Sequence, residues 1–119
     1  MKIAVSAEGQ YLSSTVDPRF GRAKGFIVYD TETKDFNYVD NKQNLESAQG
    51  AGVQSAVTVI DSDASAVITG NVGPKAFTAL SKGDVEIYLC ADCTVAEAMD
   101  KLKRGELVRC GDANVEGHW

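Results

Sequence analysis

Apolar positions follow two rhythms along the chain. In the first third they cluster into short β-rich runs. Residues 2–6 place Ile3 and Val5 in an opening strand. Phe26-Ile27-Val28-Tyr29-Asp30 and Phe36-Asn37-Tyr38-Val39-Asp40 follow, separated by the polar turn Thr31-Glu32-Thr33-Lys34. Two such runs around a short turn predict a hairpin, so this third reads as an antiparallel meander. Beyond about residue 47 the period lengthens. Val53, Ala56, Val57 and Ile60 recur at i, i+3, i+4 and i+7, the stripe of one buried helix face. Ala66-Val67-Ile68-Thr69 ends in Gly70 and suits a buried strand. Gly73-Pro74 opens a second helix with proline at the first helical position, where its missing N–H costs little, and with Ala76, Phe77 and Leu80 inward. Val85–Leu89 is a fifth strand. Thr94 and Glu97 form a T-x-x-E capping box ahead of a third helix with Val95, Ala98, Met99 and Leu102 on its inner face, and Gly105 stands where it stops.

The resulting order is β-β-β-α-β-α-β-α. Right-handed crossovers then place strands 1, 4 and 5 parallel and predict an α/β, ribonuclease H-like fold: a mixed five-stranded sheet of order 3-2-1-4-5 with three helices. No repeat, low-complexity segment or linker interrupts the 119 residues, so 1–119 reads as one domain, with a tail 111–119 expected to be loose. Twelve basic against seventeen acidic residues give a net charge of −5. The densest cationic stretches, Arg19-Arg22-Lys24 and Lys101-Lys103-Arg104, lack interleaved aromatics, and nucleic acid is not expected as a partner. No apolar run reaches bilayer length and the N-terminus does not read as a secretion signal, so the expectation is no membrane association and a cytoplasmic location.

Ligands of an open α/β sheet bind beyond the carboxyl ends of its parallel strands. Gly70-Asn71-Val72-Gly73-Pro74 leads directly into a helix, whose N–H groups and dipole would receive an anion, unless the glycines serve only the turn. Gln49-Gly50-Ala51-Gly52 is a second glycine-rich helix start with the same two readings. Arg19 and Arg22 flank Phe20-Gly21 in the loop after the first strand, and two guanidinium groups beside an apolar ring suit a multiply charged, partly soft anion. Cys90-Ala91-Asp92-Cys93 ends a parallel strand just before the Thr94 cap, where a helix N-terminus would stabilise a thiolate. Its readings are a thioredoxin-like redox pair, a zinc site completed by Cys110 and His118, thiolates for a soft metal or its sulfide cluster, and two buried inert cysteines. Three cysteines cannot all pair, so a disulfide framework is a poor explanation. There is no Ser/His/Asp set, H-E-x-x-H or P-loop, and Glu8, Asp17 and Asp92 do not form a nuclease cluster. An enzyme is not expected.

Several stretches together resemble the dinitrogenase iron–molybdenum cofactor biosynthesis family, which spans nitrogenase cofactor carriers and orange-protein-like members. They are Met1–Ser6, Phe20-Gly-Arg-Ala23 before Phe26, Gly50-Ala-Gly-Val53, Ile68-Thr-Gly-Asn-Val-Gly-Pro-Lys-Ala-Phe77, and Thr94–Ala98 followed by Gly105-Glu-Leu107. The resemblance covers nearly the whole chain. It implies the fold derived above and a small carrier of molybdenum- or iron-containing sulfide clusters, working with protein partners in cluster assembly or delivery. It implies binding by Arg19, Phe20, Arg22, Gln49, Gly50, Gly52, Asn71, Val72 and Gly73. Many relatives have histidine where this chain has Gln49, and the C-x-x-C is not general to them. The resemblance therefore points to the orange-protein branch and a Mo–Cu sulfide cluster, with an Fe–Mo–S cluster as the alternative. The role of the C-x-x-C is not implied by it: Cys90 and Cys93 stay candidate metal ligands on their own chemistry, with zinc as the other ion they could take.

Overall fold

The computed structural model describes residues 1–41 and 51–111. Strands β1 (Lys2–Ala7), β2 (Gly25–Asp30) and β3 (Phe36–Asp40) form the meander. Helix α1 (Ala51–Asp61), strand β4 (Ala64–Thr69), helix α2 (Pro74–Lys82), strand β5 (Glu86–Leu89) and helix α3 (Val95–Lys103) follow. The expected order 3-2-1-4-5 is present, but the sheet has six strands, in the order β3-β2-β1-β4-β5-β6. The added strand, β6 (Val108–Arg109), is exposed and only two residues long. It leaves no hydrophobic alternation to read, and its pairing with Tyr88 and Leu89 is a tertiary event. β1 pairs parallel with β4 and β4 with β5, whereas the β1–β2, β2–β3 and β5–β6 pairs are antiparallel.

Side chains alternate across the strands, so each buried strand supplies both faces of the sheet. Ala4, Val28, Val67 and Ile87 face α1 and α2, which contribute Ala56, Val59, Ala76 and Leu80 to the same cluster. Ile3, Val5, Ile27 and Ile68 face the other way, against Val95 and Ala98 of α3. The stripes expected for α2 and α3 are the ones that pack. That of α1 is rotated: Ser55, Ala56 and Val59 are buried, while Val57 is 49% exposed. The rotation follows from Ser55, whose hydroxyl has a buried polar partner that an apolar count overlooks. Among the described residues no helix is long and apolar enough to cross a membrane.

Candidate functional site

The carboxyl ends of β1, β4 and β5 lie at one end of the sheet because these three strands are parallel. A buried polar knot joins the first two. Ser6 Oγ donates to the Asp17 carbonyl at 2.7 Å and lies 2.8 Å from Thr69 Oγ1. The Asp17 N–H donates back to the Ser6 carbonyl at 2.8 Å. Ser6 and Thr69 are fully buried, where an unmatched hydroxyl would cost about 1–3 kcal/mol, so the pairing fixes the path of the loop. Asp17 Oδ1 then accepts from the Arg19 N–H at 3.1 Å, a local turn that sends the Arg19 side chain outward.

The Arg19 loop is stitched to the loop after β4. The Phe20 N–H donates to the Asn71 carbonyl (3.2 Å), and Asn71 Nδ2 donates to the Pro18 carbonyl (3.0 Å). Gly70 permits this approach. A Cβ there would stand 2.7 Å from Pro18 Cα, closer than backbone tolerates. Phe20 and Val72 are fully buried, the Phe20 ring 5.4 Å from that of Phe26. Their side chains anchor the loops from beneath. What these two positions can present outward is backbone.

A second knot was invisible to pattern reading. Asn41 Nδ2 donates to the Ala23 carbonyl (3.0 Å) and to Ser55 Oγ (3.1 Å), and the Asn41 N–H donates to the Lys24 carbonyl (2.9 Å). Both side chains are buried. Together they clamp the Gly21–Lys24 segment, which carries half-buried Arg22, against the first turns of α1. Asn41, one residue past β3, offered the only signal: a carboxamide where a strand enters a buried turn.

Among the described residues, the three helix N-termini differ in a way that decides where an anion can sit. In α3 every donor of the first turn is spent. The Val95 and Ala96 N–H groups donate to the Ser14 and Leu12 carbonyls (both 2.9 Å), and Thr94 and Glu97 close the expected capping box at 2.9 and 3.2 Å. The hydrogen bond from the Thr94 N–H, reinforced by that residue's hydroxyl, holds the Glu97 carboxyl below the usual range. Helix α2 is the opposite case. Gly73 gives it no side-chain cap, Pro74 is at its first position, and its first turn carries no acid. No described residue accepts from the Lys75 and Ala76 N–H groups. Helix α1 also begins without an acid in its first turn. Gly52 lets the two starts meet, since a Cβ on it would lie 3.1 Å from that of Ala76. Exposed Arg19 has no described carboxylate within ion-pair range. Gln49 and Gly50 lie outside the described residues. Arg19, Arg22, Gly52, Asn71 and Gly73 therefore belong to one end of the sheet, around the open start of α2.

Charge-assisted hydrogen bonds contribute about 1.5–3 kcal/mol each. The helix dipole adds about 0.3–1 kcal/mol. The net charge of −5 opposes an anion weakly, because exposed charges more than about 8–10 Å away are screened in physiological salt. Local donors win, and this end of the molecule can hold an anion.

The C-x-x-C occupies the same end on the α3 side. The Cys90 N–H donates to the Thr69 carbonyl (3.0 Å), and the Cys93 carbonyl accepts from the Val16 N–H (2.9 Å). Both cysteines are buried and their sulfurs lie in contact with each other. The turn between them places Asp92 at φ 57°, a left-handed conformation that Asp tolerates better than most residues. Because the α3 donors are occupied, the helix N-terminus does not support a thiolate here. The zinc arrangement with Cys110 does not assemble either. Cys110 donates its N–H to the Ile87 carbonyl and packs against the α1–α2 cluster, whereas Cys90 and Cys93 belong to the α3 cluster. Among the described residues no three His, Cys, Asp or Glu side chains are grouped to hold a metal, and His118 lies outside them.

Comparison with known proteins gives a consistent picture. A family model described as "Dinitrogenase iron-molybdenum cofactor" matches residues 1–105. The apo form of the orange protein from Desulfovibrio gigas is 39% identical, with 96% of each chain covered and a TM-score of 0.94. An NMR structure from Thermotoga, of a proposed NifB protein of the DUF35 family, is 34% identical over 98% of both chains with a TM-score of 0.85. An uncharacterised protein of Methanocaldococcus jannaschii is 27% identical over 112 residues, 90% of this chain and 89% of its own.

Proposed function

Because the chain belongs to the dinitrogenase iron–molybdenum cofactor family, we propose that it binds a small molybdenum-containing metal–sulfide cluster and carries or scaffolds it for storage, assembly or delivery. It performs no catalysis of its own and works in the cytoplasm with proteins that load or receive the cluster. One observation supports this most directly: the uncapped, acid-free start of α2 is bound through Asn71 to the loop that carries Arg19. Such a cradle suits a compact, multiply charged anion. Backbone N–H groups and guanidinium forks hold the charge without covalent bonds, and Gly73, Gly52 and Gly70 keep side chains out of the way.

Cargo chemistry follows from what this end lacks. Position 49 is glutamine, so histidine ligation of an iron-containing cluster is not provided there. A thiomolybdate anion bridged by copper needs no such ligand, and this favours Mo–Cu over Fe–Mo. The second reading is a C-x-x-C thiol–disulfide protein, favoured by the contact between the sulfurs of Cys90 and Cys93. It is the weaker one, since a nucleophilic thiolate would find no open helix donors in α3.

Anaerobic reconstitution with tetrathiomolybdate and copper(I), then desalting, tests the proposal. Molybdenum and copper should be retained together with a new visible absorption band, and the Arg19→Ala/Arg22→Ala double variant should retain far less. A wild-type chain that keeps neither metal would sink the reading.

A further inference from the structure

The Cys90–Cys93 pair has no part in the anion cradle, yet it is hydrogen-bonded to both of the segments that build it. Cys90 is held by the last residue of β4, and Cys93 by Val16, one residue before the Asp17 turn that places Arg19. The two sulfurs are in contact and buried in an apolar cluster, beneath the exposed tip Ala91-Asp92. Two facts narrow what they can do once reduced. The donors of α3 are spent, so the site does not favour a free thiolate. No third protein ligand is grouped with them among the described residues, which leaves a four-coordinate ion such as Zn²⁺ half-ligated. Two converging thiolates in an apolar, water-poor setting instead match a soft monovalent d¹⁰ ion that two sulfurs satisfy.

We propose that Cys90 and Cys93 form a redox-gated copper(I) site at the same end of the sheet as the anion cradle but on its α3 face, closed as the disulfide and open as the dithiol. The inference deepens the cargo reading, on which it rests for its purpose: the cysteine pair would hold the soft cation until the thiomolybdate anion takes it up as its bridge. Opening is thiol–disulfide exchange. A partner dithiol attacks one sulfur, the S–S bond breaks, and the partner's second thiol resolves the mixed disulfide. Cys90 and Cys93 gain two electrons and two protons while the partner becomes a disulfide. Copper(I) then replaces both thiol protons, which leave to solvent as two S–Cu bonds form. The reverse exchange with a partner disulfide closes the site.

Copper(I) alone, titrated anaerobically against a colorimetric copper(I) chelator, is the probe. The reduced chain should take one copper(I) with thiolate-to-copper absorption in the ultraviolet, and the oxidised chain none. Cys90→Ser and Cys93→Ser should each lose the site, while Cys110→Ser and the Arg19→Ala/Arg22→Ala variant keep it. Comparing oxidised with reduced wild type needs no mutation, so a misfolded variant does not blunt the test. Equal uptake by both redox forms, or loss of uptake in Cys110→Ser alone, overturns the proposal. Redox-dependent copper(I) uptake by a chain that ignores tetrathiomolybdate supports the copper site and removes the cargo reading. Thiomolybdate retention with no copper(I) uptake by the dithiol does the reverse.

Discussion

Arg19 owes its position to Asp17 and Asn71, and Arg22 owes its position to Asn41 and Ser55. The residues that would meet an anion are legible in a sequence, since arginine and glycine announce their chemistry. The buried polar residues that hold them are not, because each satisfies partners up to 63 positions away, as Ser6 does with Thr69. Replacing Asn41 by Ala strips donors from the Ala23 carbonyl and from Ser55. It should cost about 1–3 kcal/mol in urea unfolding and also weaken anion binding by loosening the Arg22 segment. Thr94→Ala is a purely local test. It removes one side of the capping box and should cost about 1 kcal/mol with anion binding unchanged. The box is also pH-sensitive. Glu97 has its folded pKa lowered by hydrogen bonds to Thr94, so its contribution is present above the unfolded pKa and is lost as pH falls through the folded one. A Glu97→Ala penalty measured by urea unfolding should therefore shrink in acid below the ordinary glutamate range.

Elements whose ends are written in local chemistry were readable without a structure. Proline at the first position of α2 and the Thr94–Glu97 box of α3 are both where the sequence puts them. What escaped was set by tertiary pairing: β6, too short to alternate, and the face of α1, turned by a hydrogen-bonding serine. The same distinction governs Gly70. Its role is to let the Pro18–Phe20 segment lie against the end of β4, a contact that the motif Gly-Asn-Val-Gly-Pro does not disclose. Gly70→Ala should push this segment away from Asn71. The expected result is a stability loss of about 1–3 kcal/mol and a larger proportional loss of anion affinity, read by titration with tetrathiomolybdate. Anion affinity equal to wild type in a folded Gly70→Ala protein would mean that the two loops need not touch to bind.

At the scale of the whole molecule, an acidic protein is asked to hold an anion. The arrangement works because donors are gathered at one end of the sheet, where two helices begin without acids, while exposed charges beyond about 8–10 Å are screened. Binding that depends on exposed Arg19 should weaken as salt rises, and that slope should flatten in the Arg19→Ala variant. The most direct test of the central claim is an amide chemical-shift map of the oxidised protein with and without tetrathiomolybdate. The largest shifts should fall at Arg19, Phe20, Asn71, Val72, Gly73, Lys75 and Ala76, with the first turn of α3 little changed. Shifts centred on α3, or none at saturating thiomolybdate, would contradict it.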